Sequence, residues 1–131
     1  MKLGTISHHG EETIIAQIGE GKAITLAHAY SAANFSKTPV SMLALIRGGK
    51  HELNRVYTAL QSVNPDATNL MDEKNLDWLP VQPHPSKIFG VAFNNKSLME
   101  TAHKDPGVPN FFLKPPSCLT GHLTPIELRS F

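Results

Sequence analysis

Glu100 and His103 stand three residues apart in Ser97 to Lys104, SLMETAHK, whose composition predicts a helix. Residues at that spacing share a helical face. Glu100 could therefore raise the imidazole pKa, leaving His103 to act as a general base. The same residues have plainer uses. Ser97-x-x-Glu100 spells a capping box, in which Ser97 accepts from the Glu100 amide and Glu100 from the Ser97 amide. A histidine near a helix C-terminus is favoured there by the helix dipole. Upstream, Asn94-Asn95 make a polar turn after an apolar run, the kind of place where ligand-holding groups collect. Downstream, Lys114 follows Phe111-Phe112-Leu113 and precedes Pro115-Pro116, which fix the backbone and aim the ammonium. A cation held in that way could grip a carboxylate or stabilise an enolate, or it could rest at a strand end with its head in water.

The elements that must position these groups run from Lys87 to Ser117, KIFGVAFNNKSLMETAHKDPGVPNFFLKPPS. An apolar strand from Ile88 to Phe93 leads into the Asn-Asn turn and the helix. A Pro/Gly loop follows, then a second apolar strand from Asn110 to Lys114. This order resembles the opening of the catalytic domain in the fumarylacetoacetate hydrolase family: an apolar strand, a Gly, Asn-Tyr, His-x-x-Glu on a helix, then Pro-x-Phe-Leu-Lys-Pro. The matching pieces are Gly90, Asn94, the helix from Ser97, and Pro109 with Phe111 to Pro116, about a third of the chain. With Asn94-Asn95 in register with the family's Asn-Tyr, the positions of its His and Glu fall on Leu98 and Thr101. Neither moves a proton at neutral pH.

By that resemblance, the complete protein takes a small carboxylic acid of the 2-oxo or 1,3-diketo class. Its reaction is hydrolytic carbon–carbon cleavage, decarboxylation, isomerisation or hydration, with Mg²⁺ enolising the substrate. The resemblance places Asn94 and Asn95 at the substrate and Lys114 near the mouth of the site, and it implies a homodimer. The family's metal is held by a Glu-x-Glu pair and a later Asp. Nothing from Met1 to Phe131 reads Glu-x-Glu, so the chain corresponds to a truncated N-terminal portion, expected to hold no Mg²⁺ and to be inactive alone. An alternative from a different class is a non-catalytic binding or interaction module that has lost the dyad.

The remaining composition narrows the options. A net charge of +1, with no basic run interleaved with aromatics, argues against a nucleic-acid or anionic-membrane partner. One cysteine, Cys118, excludes an intrachain disulfide framework and suits a reducing compartment. No apolar run approaches the ~18 residues that suggest a bilayer span, and no leader pattern opens the chain, so cytoplasmic is the expectation. His8, His9, His28, His51, His84 and His122 are scattered, and no Cys-x-x-Cys, His-Glu-x-x-His or calcium-loop spacing is present.

The N-terminal half reads as a small α+β domain. Met1 to Ser7, Thr13 to Ile18 and Ala23 to Leu26 alternate as strands, separated by His8 to Glu12 and by Gly19-Glu20-Gly21, which predicts a meander. Gly19-Glu20-Gly21-Lys22 lacks the Ser/Thr and the glycine spacing of a P-loop and is read as a turn. After a polar connection from Ser31 to Pro39, Ser41 caps a helix from Met42 to Arg47, ended by Gly48-Gly49. A second helix carries Leu53, Val56, Tyr57 and Leu60 as its buried stripe and stops at Asn64-Pro65. Asp66 to Ser86, rich in Asp, Asn and Pro, reads as a Pro-rich linker, and the change of composition at Pro80, with eight of the ten prolines there or beyond, places the division near Pro85. The expected architecture is α+β. Residues 1–85 form a β-meander with two helices and a linker, and residues 86–131 form the first strands and helix of a mixed β-roll.

Overall fold

In the computed structural model, which describes residues 1–128, the first three apolar runs form the expected meander: β1 (Leu3–His8), β2 (Glu11–Gln17) and β3 (Lys22–Thr25). The β1–β2 connection is two residues long, His9 and Gly10, both at positive φ (53° and 82°), the backbone that suits a right-twisted hairpin. Gly19 and Gly21, at φ 76° and 69°, turn β2 into β3, and the Ile18 amide donates to the Lys22 carbonyl at 2.9 Å. The glycine-rich segment is a hairpin turn.

A helix absent from the sequence reading follows at once: α1 (Leu26–Ala32) starts where the third strand was expected to run on. The Thr25 hydroxyl accepts from the His28 amide at 3.2 Å and caps it. Leu26, Ala29 and Tyr30, at i, i+3 and i+4, are its buried face. As expected, Ser41 caps α2 (Met42–Arg47), accepting from the Ala44 amide at 3.2 Å. Gly49, at φ 58°, breaks this helix from α3 (Gly49–Gln61).

The buried stripe of α3 differs from the expected one. Val56 is buried, but Leu53 and Tyr57 are exposed, and Glu52 and Ala59 take their place inside. Glu52 can be buried because it is fully partnered. The Tyr30 hydroxyl donates to its Oε1 at 2.6 Å, and Arg55 Nη1 donates to both carboxylate oxygens at 3.0 Å. The Arg55 guanidinium also lies 5.0 Å from the Tyr30 ring centre and 4.8 Å from that of Phe35. Its Nη2 donates to the Lys37 carbonyl at 2.9 Å, tying down the loop after α1.

The segment expected to be linker supplies two more strands. β4 (Met71–Asp72) pairs with β3, and β5 (Asp77–Leu79) pairs with β1, giving a five-stranded antiparallel sheet in the order β4-β3-β2-β1-β5. In a flat sheet, strands at the two edges would lie about 19 Å apart, four spacings of about 4.8 Å. Between them run only residues 73–76, most of them in a 3-10 turn (Glu73–Asn75) that rises about 2 Å per residue. The sheet must curl to bring its edges together. Outside the curl, α1, α2 and α3 pack on Ile14 and Ile24 with Tyr30, Met42, Leu45 and Val56. Inside it, Ile6, Ile15 and Ala23 meet Met71, Leu76 and Trp78. The fold is therefore mixed α+β.

The chain divides into two compact units, Met1–Gln82 with the segment from Thr120 on, and Pro83–Leu119. The second unit consists of β6 (Ile88–Ala92), α4 (Lys96–Ala102) and β7 (Asn110–Lys114), with β6 and β7 forming a two-stranded antiparallel ladder. Gly90 sits opposite Phe112 in that ladder, and a Cβ at Gly90 would fall inside the Phe112 ring. The strands cannot pair in this register with any larger residue there unless the ring moves. Residues 129–131, the end of the segment assigned to a second domain in the sequence, lie outside the described residues.

Candidate functional site

Between the end of β6 and the start of β7, α4 and the Pro/Gly loop enclose a cleft of about 460 Å³. It is lined by Val91 to Asn94, Met99 and Asp105 to Pro109. Phe93 stands at its edge with φ 51°, a left-handed backbone uncommon for an aromatic residue. Such strained positions concentrate at ligand sites and turns. The Lys104 ammonium lies 5.3 Å from the Phe93 ring centre and joins the two ends of α4 across the cleft edge. Asp105 accepts from the Gly107 amide at 2.9 Å and closes the loop as an Asx turn.

The helix is capped by a different residue from the one expected. Asn95 Oδ1 accepts from the Leu98 amide at 2.8 Å, so Asn95 is the N-cap and Lys96 begins the helix. Ser97 lies inside the first turn, and the Ser97–Glu100 capping box is not formed. The helix begins one residue earlier than expected because asparagine, already placed in extended backbone (φ −135°, ψ 150°), reaches the free amide first. At the other end His103 adopts the left-handed conformation, φ 49°. Its amide donates to Glu100 at 3.2 Å and the Lys104 amide donates to Met99 at 3.0 Å, the pair of bonds that closes a helix in a Schellman motif.

Of the expected site residues, Asn94 lines the cleft. Asn95 has its side-chain oxygen committed to the cap. Glu100 and His103 both border a shallow open depression with Lys96, Met99, Lys104 and Asp105. Among the described residues no side-chain hydrogen bond or ion pair joins them. Leu98 and Thr101, at the dyad positions, are exposed, and the Thr101 hydroxyl donates to the Ser97 carbonyl at 2.9 Å. Lys114 pairs with Ile88, whereas the cleft residue Ala92 pairs with Asn110. Lys114 therefore sits at the opposite end of the ladder from the cleft residue Ala92, about 14 Å along the strand at about 3.4 Å per residue.

Phe93 and Asp105 line the cleft, and Lys104 lies beside Phe93; none of the three is among the site residues expected from the sequence. Asp105-Pro106-Gly107 carries the turn chemistry that could have flagged Asp105. Nothing in the sequence marks the Phe93–Lys104 contact. Chemically, the cleft offers apolar walls, the Asn94 amide and the Asp105 carboxylate. That set can hold a small polar-ended molecule, but it contains no paired acid and base. Among the described residues no three His, Cys, Asp or Glu side chains come together to hold a metal ion. Among the described residues the donors of the cleft do not fit the Mg²⁺ that the resemblance implies, since a hard divalent ion needs several oxygen ligands.

Compared with known proteins, the sequence matches no family model and no curated relative. No helix among the described residues is long and apolar enough to cross a membrane.

Proposed function

We propose that the chain is the N-terminal portion of a fumarylacetoacetate-hydrolase-like enzyme. Its first 85 residues are an α+β domain with a Pro-rich linker, and residues 86–131 open a mixed β-roll catalytic domain. The complete protein acts on short 2-oxo or diketo carboxylic acids by hydrolytic carbon–carbon cleavage, or by decarboxylation, isomerisation or hydration. Mg²⁺ is held by residues beyond this chain, and this portion alone is inactive. The setting is cytoplasmic and the enzyme a homodimer.

One observation carries this reading. On one face of the β6–β7 ladder Phe89, Val91, Phe111 and Leu113 are 62%, 43%, 60% and 64% exposed. Cross-strand pairing sets Phe89 against Leu113 and Val91 against Phe111, so the four form one apolar patch. A two-stranded ladder is marginal by itself in water, and this one keeps the apolar face of a buried sheet. Further strands of a roll supply the cover such a face requires. The quoted motif order from Gly90 to Pro116 supports the same reading.

A second reading, a non-catalytic binding module, is favoured by Leu98 and Thr101 at the dyad positions beside a formed 460 Å³ cleft. Reading the genomic frame past the Phe131 codon separates the two. In-frame codons for a Glu-x-Glu segment are expected from the enzyme reading, and a natural stop at that point in independent isolates would sink it in favour of the module.

A further inference from the structure

We propose that the open end of the curled sheet in the first unit binds a small zwitterion with an apolar or aromatic body, a molecule of the α-amino acid class. The site lies wholly within the first unit and is independent of the cleft in the second. Its cavity measures about 280 Å³ and is lined by Lys2, Leu3, Gly4, Ile15, Gln17, Glu73, Trp78 and His122.

Strand alternation builds the floor. Gly4 pairs with Ile15, and the Gln17 amide donates to the Lys2 carbonyl at 3.0 Å, so Lys2, Gly4, Ile15 and Gln17 occupy neighbouring positions on the inner face. Gly4 has no side chain to fill the space above it. A Cβ there would come within 2.7 Å of the Trp78 ring, so glycine both admits the indole and leaves the hollow beside it. The indole is held from two sides: its Nε1–H donates to the Glu73 carbonyl at 3.3 Å, and the His122 ring meets it edge-on at 5.8 Å. The result is a rigid aromatic wall over the aliphatic floor of Ile15.

The polar groups define the ligand. Lys2 and Glu73 carry opposite charges on the same cavity, and among the described residues neither makes an ion pair or a side-chain hydrogen bond. The side-chain amide of Gln17 likewise makes no hydrogen bond among the described residues. A simple anion at Lys2 would meet the Glu73 carboxylate, and a simple cation at Glu73 would meet Lys2. A molecule with both charges and an apolar body satisfies each group. The cavity falls just below the ~300–1,000 Å³ of sites for drug-sized ligands, which limits the occupant to a small molecule.

Trp78 is the single tryptophan of the chain, so its emission reports on this cavity alone. The test titrates the full chain with L-phenylalanine, with 3-phenylpropionate, which lacks the ammonium, and with 2-phenylethylamine, which lacks the carboxylate. L-phenylalanine should change the emission saturably with a Kd of about 0.1–1 mM, as befits so few ligand atoms. Each analogue should bind at least about tenfold more weakly, the effect of one lost bond to a charged group. Lys2→Gln should weaken L-phenylalanine and 3-phenylpropionate and leave 2-phenylethylamine unchanged, whereas Glu73→Gln should weaken L-phenylalanine and 2-phenylethylamine and leave 3-phenylpropionate unchanged. Saturation by none of the three probes, or equal binding of L-phenylalanine and 3-phenylpropionate, overturns the proposal on the parent chain alone. Variants that melt like the parent and bind L-phenylalanine unchanged overturn it as well.

Discussion

Glu52 shows how far a single side chain can depart from its type. Burial pushes its carboxyl pKa up, but hydrogen bonds from Tyr30 and Arg55, with the charges of Arg55 and His51, outweigh burial and hold it below its ordinary 4.5. Tyr30 is pushed the other way: burial, the hydrogen bond to Glu52 and the Glu52 charge raise its phenol pKa, against the opposing Arg55 charge. The sign for Glu52 follows from linkage. A carboxyl whose folded pKa is depressed stabilises the fold fully above its unfolded pKa and loses that contribution as pH falls through the folded value. The stability gap between the parent and Glu52→Gln in urea should therefore be constant near neutrality and shrink as pH drops below about 4.5. At pH 7, Glu52→Ala strands the buried Tyr30 hydroxyl and should cost about 1–3 kcal/mol, read from the denaturation midpoint. None of this is visible in the sequence. Periodicity ranks Leu53 and Tyr57 above a glutamate for the buried stripe, and it cannot see that Tyr30, 22 residues earlier, supplies the partner that lets Glu52 go inside.

At the scale of elements, the strands β1 to β3 and the helix capped by Ser41 were legible because local signals agreed: alternation, Gly turns and a Ser N-cap. The short edge strands β4 and β5 were not, since they span only Met71–Asp72 and Asp77–Leu79 and owe their existence to neighbours elsewhere in the chain. Helix α4 was found, with its cap displaced by two residues. That displacement is testable. Asn95→Ala should lower the stability of the second unit by about 0.5–2 kcal/mol, whereas Ser97→Ala, whose side chain caps nothing, should stay within about 0.5 kcal/mol. His103 holds the left-handed position where glycine is at ease. His103→Gly should be neutral or stabilising by amide exchange, and in a completed enzyme it should leave turnover intact if His103 serves only to end the helix. Gly90→Ala should be far more damaging. Its methyl group collides with Phe112, and protection of the β6–β7 amides should fall even though alanine is small.

For the whole molecule, the apolar face of the β6–β7 ladder sets the solution behaviour. Fully burying a Phe or Leu side chain stabilises by about 1.5–3 kcal/mol, so a patch built on Phe89, Phe111 and Leu113 favours any arrangement that covers it. Light scattering should show concentration-dependent self-association, with binding of an apolar-surface dye. Phe89→Lys with Phe111→Lys should restore a monomer, while a compact, dye-free parent at high concentration would contradict the expectation. The apolar character of this face was legible in the sequence, in strands of near-continuous apolar residues. The placement of Lys114 at the far end of the ladder was not, because it depends on register rather than on residue type. Isothermal titration with Mg²⁺ should reveal no site tighter than about 1 mM, or about 4 kcal/mol, and a stoichiometric micromolar site would call for Glu100→Gln as the first variant.

The short link between the two edge strands has a consequence for the order of events during synthesis. While the chain emerges from the ribosome, β1, β2 and β3 can pair as soon as they appear, but both outer strands of that meander stay bare until residues 71–79 arrive. One segment then covers the outer sides of both β3 and β1, so the nascent sheet exchanges two long bare margins for the two short edge strands β4 and β5 in a single step. Chaperone engagement should accordingly peak on nascent chains ending before Met71 and drop once Leu79 is free to dock. A ribosome stalled between those two points would hold the protein in its most aggregation-prone form.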